Sequence, residues 1–211
     1  FGEDISKHIG KPFNADHFSE LHKLGYLPIS IKSLPEGMFT NPNIPHMTGI
    51  NTIDGYAWLG LFLETMISKL AWQCPTAATI AHKFKSNAKE WVMKTDPSNL
   101  LLADFMCHDF HSRGGNPFTS IAVGLGHAMS NSGSDTLNVI PASRYYYDFD
   151  ENETPIFSVT ASEHSVSCTK IFTCGEKQMI IDWLKEFPTG ILSIVADTFD
   201  LWKLLVEYLA D

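Results

Sequence analysis

Arginine is almost missing from this sequence: Arg113 and Arg144 are the only two in 211 residues. With 15 basic against 24 acidic side chains the formal charge is −9. No clustered cationic surface of the kind that holds nucleic acid or an anionic membrane is therefore expected. No apolar run approaches the ~20 residues that span a bilayer, and no signal peptide is visible. Cysteine is sparse too. Cys74, Cys107, Cys168 and Cys174 show no CxxC spacing, and there is no small scaffold to staple, so they read as reduced thiols of a cytoplasmic protein. HxxxH and HxH are also absent, which leaves no tight pair of metal ligands. Cys107, His108 and His111 could donate to zinc, but no second ligand pair accompanies them, and no metal site is expected. Internal repeats and low-complexity tracts are missing as well. The sequence has no initiator Met and stops just after an amphipathic run at 201–209, so it reads as a piece of a longer protein.

What is present is ordinary globular composition, 44% apolar and 18% charged, enough for a sizeable core. Asn14 or Asp16 can cap a short helix with Phe18, Leu21 and Leu24 on one face and Gly25 at its end. Leu27, Ile29 and Ile31 alternate with polar residues as a half-buried strand does. After turns at 35–37 and 41–43, residues 44–52 form a second strand, weakened by Pro45 and Gly49. This opening part, 1–73, reads as a small α+β unit. Trp58, Leu59, Phe62, Leu63, Met66, Ile67 and Leu70 then mark a helix apolar around much of its girth, expected to be largely buried. Cys74-Pro75-Thr76 should break it, with Thr76 capping a second helix. That helix carries Ile80, Phe84, Ala88, Trp91 and Val92 on one side and Lys83, Lys85, Lys89 and Glu90 on the other.

From there short apolar strands alternate with helices. Strand 100–106 precedes a helix at 117–129, rich in Gly and Ala, and Gly133-Ser134-Asp135-Thr136 precedes a helix at 137–147. Strand 156–160 leads into Ser162-Glu163-His164-Ser165, a helix covers 176–187, and a buried strand at 191–195 delivers Asp197-Thr198-Phe199-Asp200. Such alternation predicts a mostly parallel sheet, open or closed into a barrel, over 74–211. In these folds the residues just past the strand ends converge on one face. The rule gathers Asp109, Phe110 and Arg113 with Asp135, His164 and Asp197: one fixed cation, an aromatic plate, an imidazole and several carboxylates. That set suits an anionic, planar, nitrogen-bearing substrate. Each member also has a plainer reading. Phe110 can be core, and Arg113 can cap a helix or pair with a carboxylate. Asp135 can be a helix N-cap, His164 a satisfied structural residue, and Asp197 and Asp200 partners of a helix dipole. The residues alone thus point to a ligand site with its chemistry open.

The ordered motifs go further. Gly25-Tyr26-Leu27-Pro28, Ile31-Lys32, Leu34-Pro35-Glu36-Gly37, Asn51-Thr52, Trp58-Leu59 and Leu63-Glu64-Thr65 are followed by His108-Asp109-Phe110, Arg113-Gly114, Gly133-Ser134-Asp135-Thr136, Glu163-His164-Ser165 and Val195-Ala196-Asp197. Together they resemble the nicotinamide phosphoribosyltransferase family, in its bacterial or phage-like branch, over a central portion. The resemblance implies an incomplete parallel β/α barrel of the type II phosphoribosyltransferase kind, at 74–211, preceded by part of a small α+β domain at 1–73. It implies transfer of phosphoribose from phosphoribosyl pyrophosphate to nicotinamide, giving nicotinamide mononucleotide and pyrophosphate for NAD salvage. By position, Phe110 would be the plate under the pyridine ring and Asp135 the acceptor for the carboxamide. Arg113 would hold phosphate, and His164 would contact the diphosphate and accept a phosphoryl group from ATP. Ser193 and Asp197 would line the base pocket. Mg²⁺ with the diphosphate, ATP as a coupling nucleotide, and a homodimer sharing its active site are also implied. In the family an aromatic residue before Phe1 and phosphate-binding motifs past Asp211 complete the site, so the stretch alone is expected not to turn over. A transferase for nicotinate or another base, and a non-catalytic truncated relative serving as an interaction subunit, remain the alternatives.

Overall fold

A computed structural model describes residues 1–210 as helices joined by short strands, in two compact units that divide between Ala71 and Trp72. In the first unit, helices α1 (Gly2–Ile9) and α2 (Asp16–Leu24) precede an antiparallel hairpin, β1 (Ile29–Ser33) with β2 (Met47–Asn51), and then α3 (Trp58–Ala71). Ala15 holds the N-cap position of α2 without a capping side chain, while Asn14 accepts the Asp16 N–H at 2.8 Å, and Gly25 ends the helix. The second strand begins only at Met47 because Pro45 has no N–H for the ladder. Aromatic rings knit the unit together. Phe18 meets Phe1 at 5.0 Å, Trp58 at 5.1 Å and Phe62 at 5.2 Å between centroids, all edge-on, the arrangement ring quadrupoles favour.

The expectation of a largely buried α3 fails. Only Leu59 is buried, while Leu61 is 72% and Leu70 74% exposed. One small hairpin and two short helices cover a single stripe of a helix that is apolar on several sides.

The second unit opens with α4 (Gln73–Thr95). Thr76 does not cap it; Pro75 sits in the first turn, where a missing N–H costs nothing, and the Thr76 hydroxyl donates back to the Trp72 carbonyl at 2.6 Å. The inward face is only in part the one expected. Val92 is buried and Ala88 half-buried, but Ala81 is buried with them, whereas Ile80, Phe84 and Trp91 are exposed. The cause is the glycine-rich helix α6 (Pro117–Ala128), which lies so close that a Cβ on Gly126 would collide with the Cys74 carbonyl. Only small side chains on α4 tolerate that approach. The Asn131 amide donates to the Ala81 carbonyl at 2.9 Å, and Lys85 reaches both the Ser130 carbonyl (2.6 Å) and Asp104 (2.5 Å), tying the middle of α4 to the chain just after α6 and to the segment that precedes it.

Residues 100–106 are not a strand. Leu100–Asp104 is a 3-10 helix with Ala103 fully buried. The run contains leucine and no β-branched residue, so local preference favours a helical turn. A single turn, α5 (His111–Gly114), precedes α6, and α7 (Val139–Tyr147) follows it. Then come β3 (Thr160–Ala161), α8 (His164–Cys174), α9 (Glu176–Glu186), β4 (Leu192–Ser193) and α10 (Leu201–Lys203), which runs into a π-turn at Leu204–Tyr208. Met179, Ile180, Trp183 and Leu204 form the core here, with Leu192 and Ile194 packed on it. The 191–195 strand is thus half-buried and pairs over only two residues, because among the described residues its one partner is β3.

The pairing is parallel throughout this unit. Asp109 bridges Ser134, Gly133 bridges Phe157, and β3 pairs β4 in the register Thr160↔Leu192 and Ala161↔Ser193. Four successive segments therefore stand side by side in chain order, separated by helices. The result is a mixed α/β arrangement whose ladders are one or two residues long, without a closed barrel among the described residues. No described helix is long and apolar enough to cross a membrane.

Candidate active site

The parallel bridges decide where the polar side chains go, since each segment ends at the same edge. The Asp109 and Ser134 bridge is held by Asp135 N–H donating to the Asp109 carbonyl at 3.0 Å and Asp109 N–H donating to the Gly133 carbonyl at 3.3 Å. Ser134 N–H donates to the Phe157 carbonyl at 3.0 Å, which brings Ser158 level with Asp135. The Ser158 hydroxyl then donates to Asp135 Oδ1 at 2.6 Å, and His108 Nδ1 lies 3.4 Å from Asp135 Oδ2. Asp135 is therefore not a helix cap. Asn138 occupies that position ahead of α7, and the Asp135 carboxylate is fixed between two side chains from neighbouring segments.

Phe110 is no core residue either. It is 52% exposed, one step past Asp109, with its ring 6.1 Å from that of His108. Beneath these groups lies a buried layer. Asp109 is 8% exposed; one carboxylate oxygen accepts the His111 N–H at 3.0 Å, and the other has no hydrogen-bond partner among the described residues. His127, from α6, donates through Nε2 to the Gly133 carbonyl at 2.9 Å and so props up the turn that carries Asp135. Burial pushes the His127 pKa down, opposed by the Gly133 carbonyl and the Asp109 charge. Burial, with Asp109 nearby, pushes the Cys107 thiol up, so it is a poor nucleophile.

The second cluster lies past β3 and β4. Ser162 N–H donates to the Ser193 carbonyl at 2.9 Å, and the Ser162 hydroxyl accepts the Val195 N–H at 2.7 Å. These bonds align the start of α8 with the segment that follows β4. His164 Nε2 meets Asp197 Oδ1 at 2.8 Å, with both side chains exposed. Glu163, not His164, is the N-cap of α8: it accepts from Ser165, through both the backbone N–H at 3.0 Å and the hydroxyl. Those bonds, foremost the Ser165 hydroxyl, hold the Glu163 carboxyl below its usual range, and the Arg113 charge adds to the effect. Arg113 is thereby placed near the opening of α8, at the exposed end of α5. Asp200 caps α10 through the Lys203 N–H at 3.0 Å, which leaves Asp197 available to His164.

Of the residues singled out from sequence, Asp135 and Phe110 gather around His108, and His164 and Asp197 form a pair with Arg113 near the adjoining Glu163. Ser193 is exposed on β4, its carbonyl engaged by Ser162. The face is open to solvent. Recesses lined by Leu34, Met38 and Phe39, and by Phe149, Asn152 and Phe157, contain none of these side chains. No three described His, Cys, Asp or Glu side chains converge as metal ligands.

Comparison with known proteins gives these clusters a context. No protein-family model matches the chain. A nicotinamide phosphoribosyltransferase of Acinetobacter baylyi is 36% identical over 203 residues, which is 92% of this chain and 38% of that protein. Proteins of the same name from Xanthomonas campestris pv. campestris and Mycoplasma pneumoniae are 30% and 29% identical, over 94% and 97% of this chain. The chain is homologous to nicotinamide phosphoribosyltransferases. It spans about two fifths of the length of these relatives, 38% to 42%.

In this relative of the nicotinamide phosphoribosyltransferases, sequence reasoning missed Ser158, Glu163 as a cap, and the buried support of His127. Ser158 carries no local signal, since its role appears only when strand pairing sets it beside Asp135. Glu163 carried no usual signal either, since glutamate is not among the residues that favour the N-cap position.

Proposed function

We propose that the protein is a nicotinamide phosphoribosyltransferase, moving phosphoribose from phosphoribosyl pyrophosphate onto the ring nitrogen of nicotinamide and releasing pyrophosphate. The observation that carries the reading is the fixed Asp135 carboxylate beside the exposed Phe110 ring. An aromatic plate next to an acceptor-only group fits a flat heteroaromatic amide. The ring stacks in offset fashion and the amide N–H donates to the carboxylate. The homologues' names point the same way.

The remaining roles follow from the chemistry. As the glycosidic bond to pyrophosphate breaks, positive charge develops at the ribose carbon and negative charge on the leaving group. A site that answers both and aligns the ring nitrogen lowers the barrier. Arg113 serves the phosphate oxygens. His164, oriented by Asp197, faces the diphosphate and in this reading takes a phosphoryl group from ATP. Ser193 belongs to the wall of the base pocket. Mg²⁺ arrives on the diphosphate as part of the substrate. In the same reading the parallel segments of 74–211 are part of a β/α barrel, 1–73 belongs to a small α+β domain, and the enzyme is a cytoplasmic homodimer whose subunits share the site. The natural full-length protein mixed with nicotinamide, phosphoribosyl pyrophosphate and Mg²⁺ should form nicotinamide mononucleotide. Turnover of nicotinate at equal or greater efficiency, or of neither base, would defeat the proposal.

A further inference from the structure

We propose that His108 is the positioning residue that orients Asp135 and thereby makes the site select a carboxamide over a carboxylate; this rests on the function proposed above. The imidazole has little freedom. Its side chain is 13% exposed, with the Phe105 ring at 6.3 Å and the Phe110 ring at 6.1 Å, tilted 39° and 32° to it. The backbone of Gly133 closes another side: a Cβ there would lie 2.6 Å from both Cδ2 and Nε2 of the ring. Glycine is needed at 133 for that close approach rather than for an unusual turn, since its φ is not positive.

The contact between the two side chains is polar: Nδ1 of His108 lies 3.4 Å from Oδ2 of Asp135. A carboxylate can only accept, so we assign the hydrogen to Nδ1. The Nε2 atom is buried with no partner among the described residues. Burying a ring atom without a partner has a cost, which a purely space-filling residue would avoid. The same ring links the two recognition elements, with the Phe110 ring 6.1 Å away and the Asp135 carboxylate 3.4 Å from Nδ1. Ser158 holds the other oxygen at 2.6 Å. With one oxygen bonded to Ser158 and the other against His108, the carboxylate is held in one orientation. An incoming amide N–H finds an aligned acceptor there, and an incoming carboxylate finds a negative group that cannot swing aside.

The test uses the natural full-length protein with nicotinamide and nicotinate as competing bases. His108→Ala should raise KM for nicotinamide ~10-fold with kcat held within ~2-fold, as expected for loss of a close polar contact to a charged group. The preference for nicotinamide over nicotinate should narrow by a similar factor. His108→Asn returns a side-chain N–H close to the Nδ1 position and should recover most of both quantities. Gly133→Ala, which displaces the ring without removing it, should resemble His108→Ala. An independent readout is the imidazole ¹⁵N spectrum, where His108 should show the Nδ1–H tautomer and respond to Asp135→Asn. Unchanged KM and preference in His108→Ala, equal losses in the Ala and Asn variants, or an Nε2–H tautomer would overturn the inference while leaving the function intact. A wild-type protein that makes no mononucleotide would instead overturn the function, and the selectivity claim with it.

Discussion

Replacing Asp135 by asparagine removes one negative charge while keeping the side chain's length and an oxygen for the Ser158 hydroxyl. In the wild-type site a nicotinate carboxylate would be set against the Asp135 carboxylate. Two like charges about 4 Å apart repel by about 4 kcal/mol at an effective dielectric of ~20. The Asp135 side chain is 34% exposed, so solvent screening reduces this to about half, ~2 kcal/mol. That amounts to ~30-fold in relative kcat/KM. Asp135→Asn is therefore expected to narrow the nicotinamide-to-nicotinate ratio by ~10- to 30-fold, mainly through a gain on nicotinate, because an asparagine N–H can donate to a carboxylate. The assay is paired initial rates on the two bases, at fixed phosphoribosyl pyrophosphate and Mg²⁺. A ratio unmoved by the substitution, with the variant folded and active, would refute the reasoning.

Phe110→Ala should raise KM for nicotinamide ~3- to 10-fold through lost stacking, with little change in Tm because the ring is half exposed; Phe110→Tyr should behave as wild type. His127 titrates against folding: burial lowers its folded pKa from 6.5, so the unfolded chain binds the proton first and stability is lost as pH falls below about 6.5 toward the folded value. Denaturant midpoints measured from pH 7 to 5 should fall less steeply in His127→Asn than in wild type. Gly126→Ala drives a methyl into the Cys74 carbonyl and should cost ~1–3 kcal/mol in thermal or urea unfolding, whereas Gly114→Ala, with open space around it, should be nearly silent.

Local signals served well where the chain's own neighbours decide the outcome. Helices α6, α7 and α9 lie close to where their apolar and Gly/Ala-rich stretches place them, and the hairpin follows its alternating residues and Pro45. They failed where a distant element decides. The bulky residues Ile80, Phe84 and Trp91 of α4 looked like the core side, yet of the large residues on that face only Val92 is buried. The near approach of α6 at Gly126 leaves room only for small side chains at the start of the helix. The apolar girth of α3 promised burial that its own unit cannot supply. Residues 100–106 are apolar enough for a strand but too rich in leucine to stay extended. The positions of Asp135 and His164 at this edge were legible because they follow strand-like segments. Their partners were less so: Ser158 acts only through pairing at Phe157, and His127 reaches in from α6.

The most direct measurement is a crystal structure of the natural full-length protein with nicotinamide bound. The pyridine ring should lie on Phe110 at stacking distance, with the carboxamide nitrogen about 3 Å from the Asp135 carboxylate and Ser158 and His108 still holding that carboxylate. A nicotinamide seated away from Phe110, or an Asp135 turned from the base, would contradict the account.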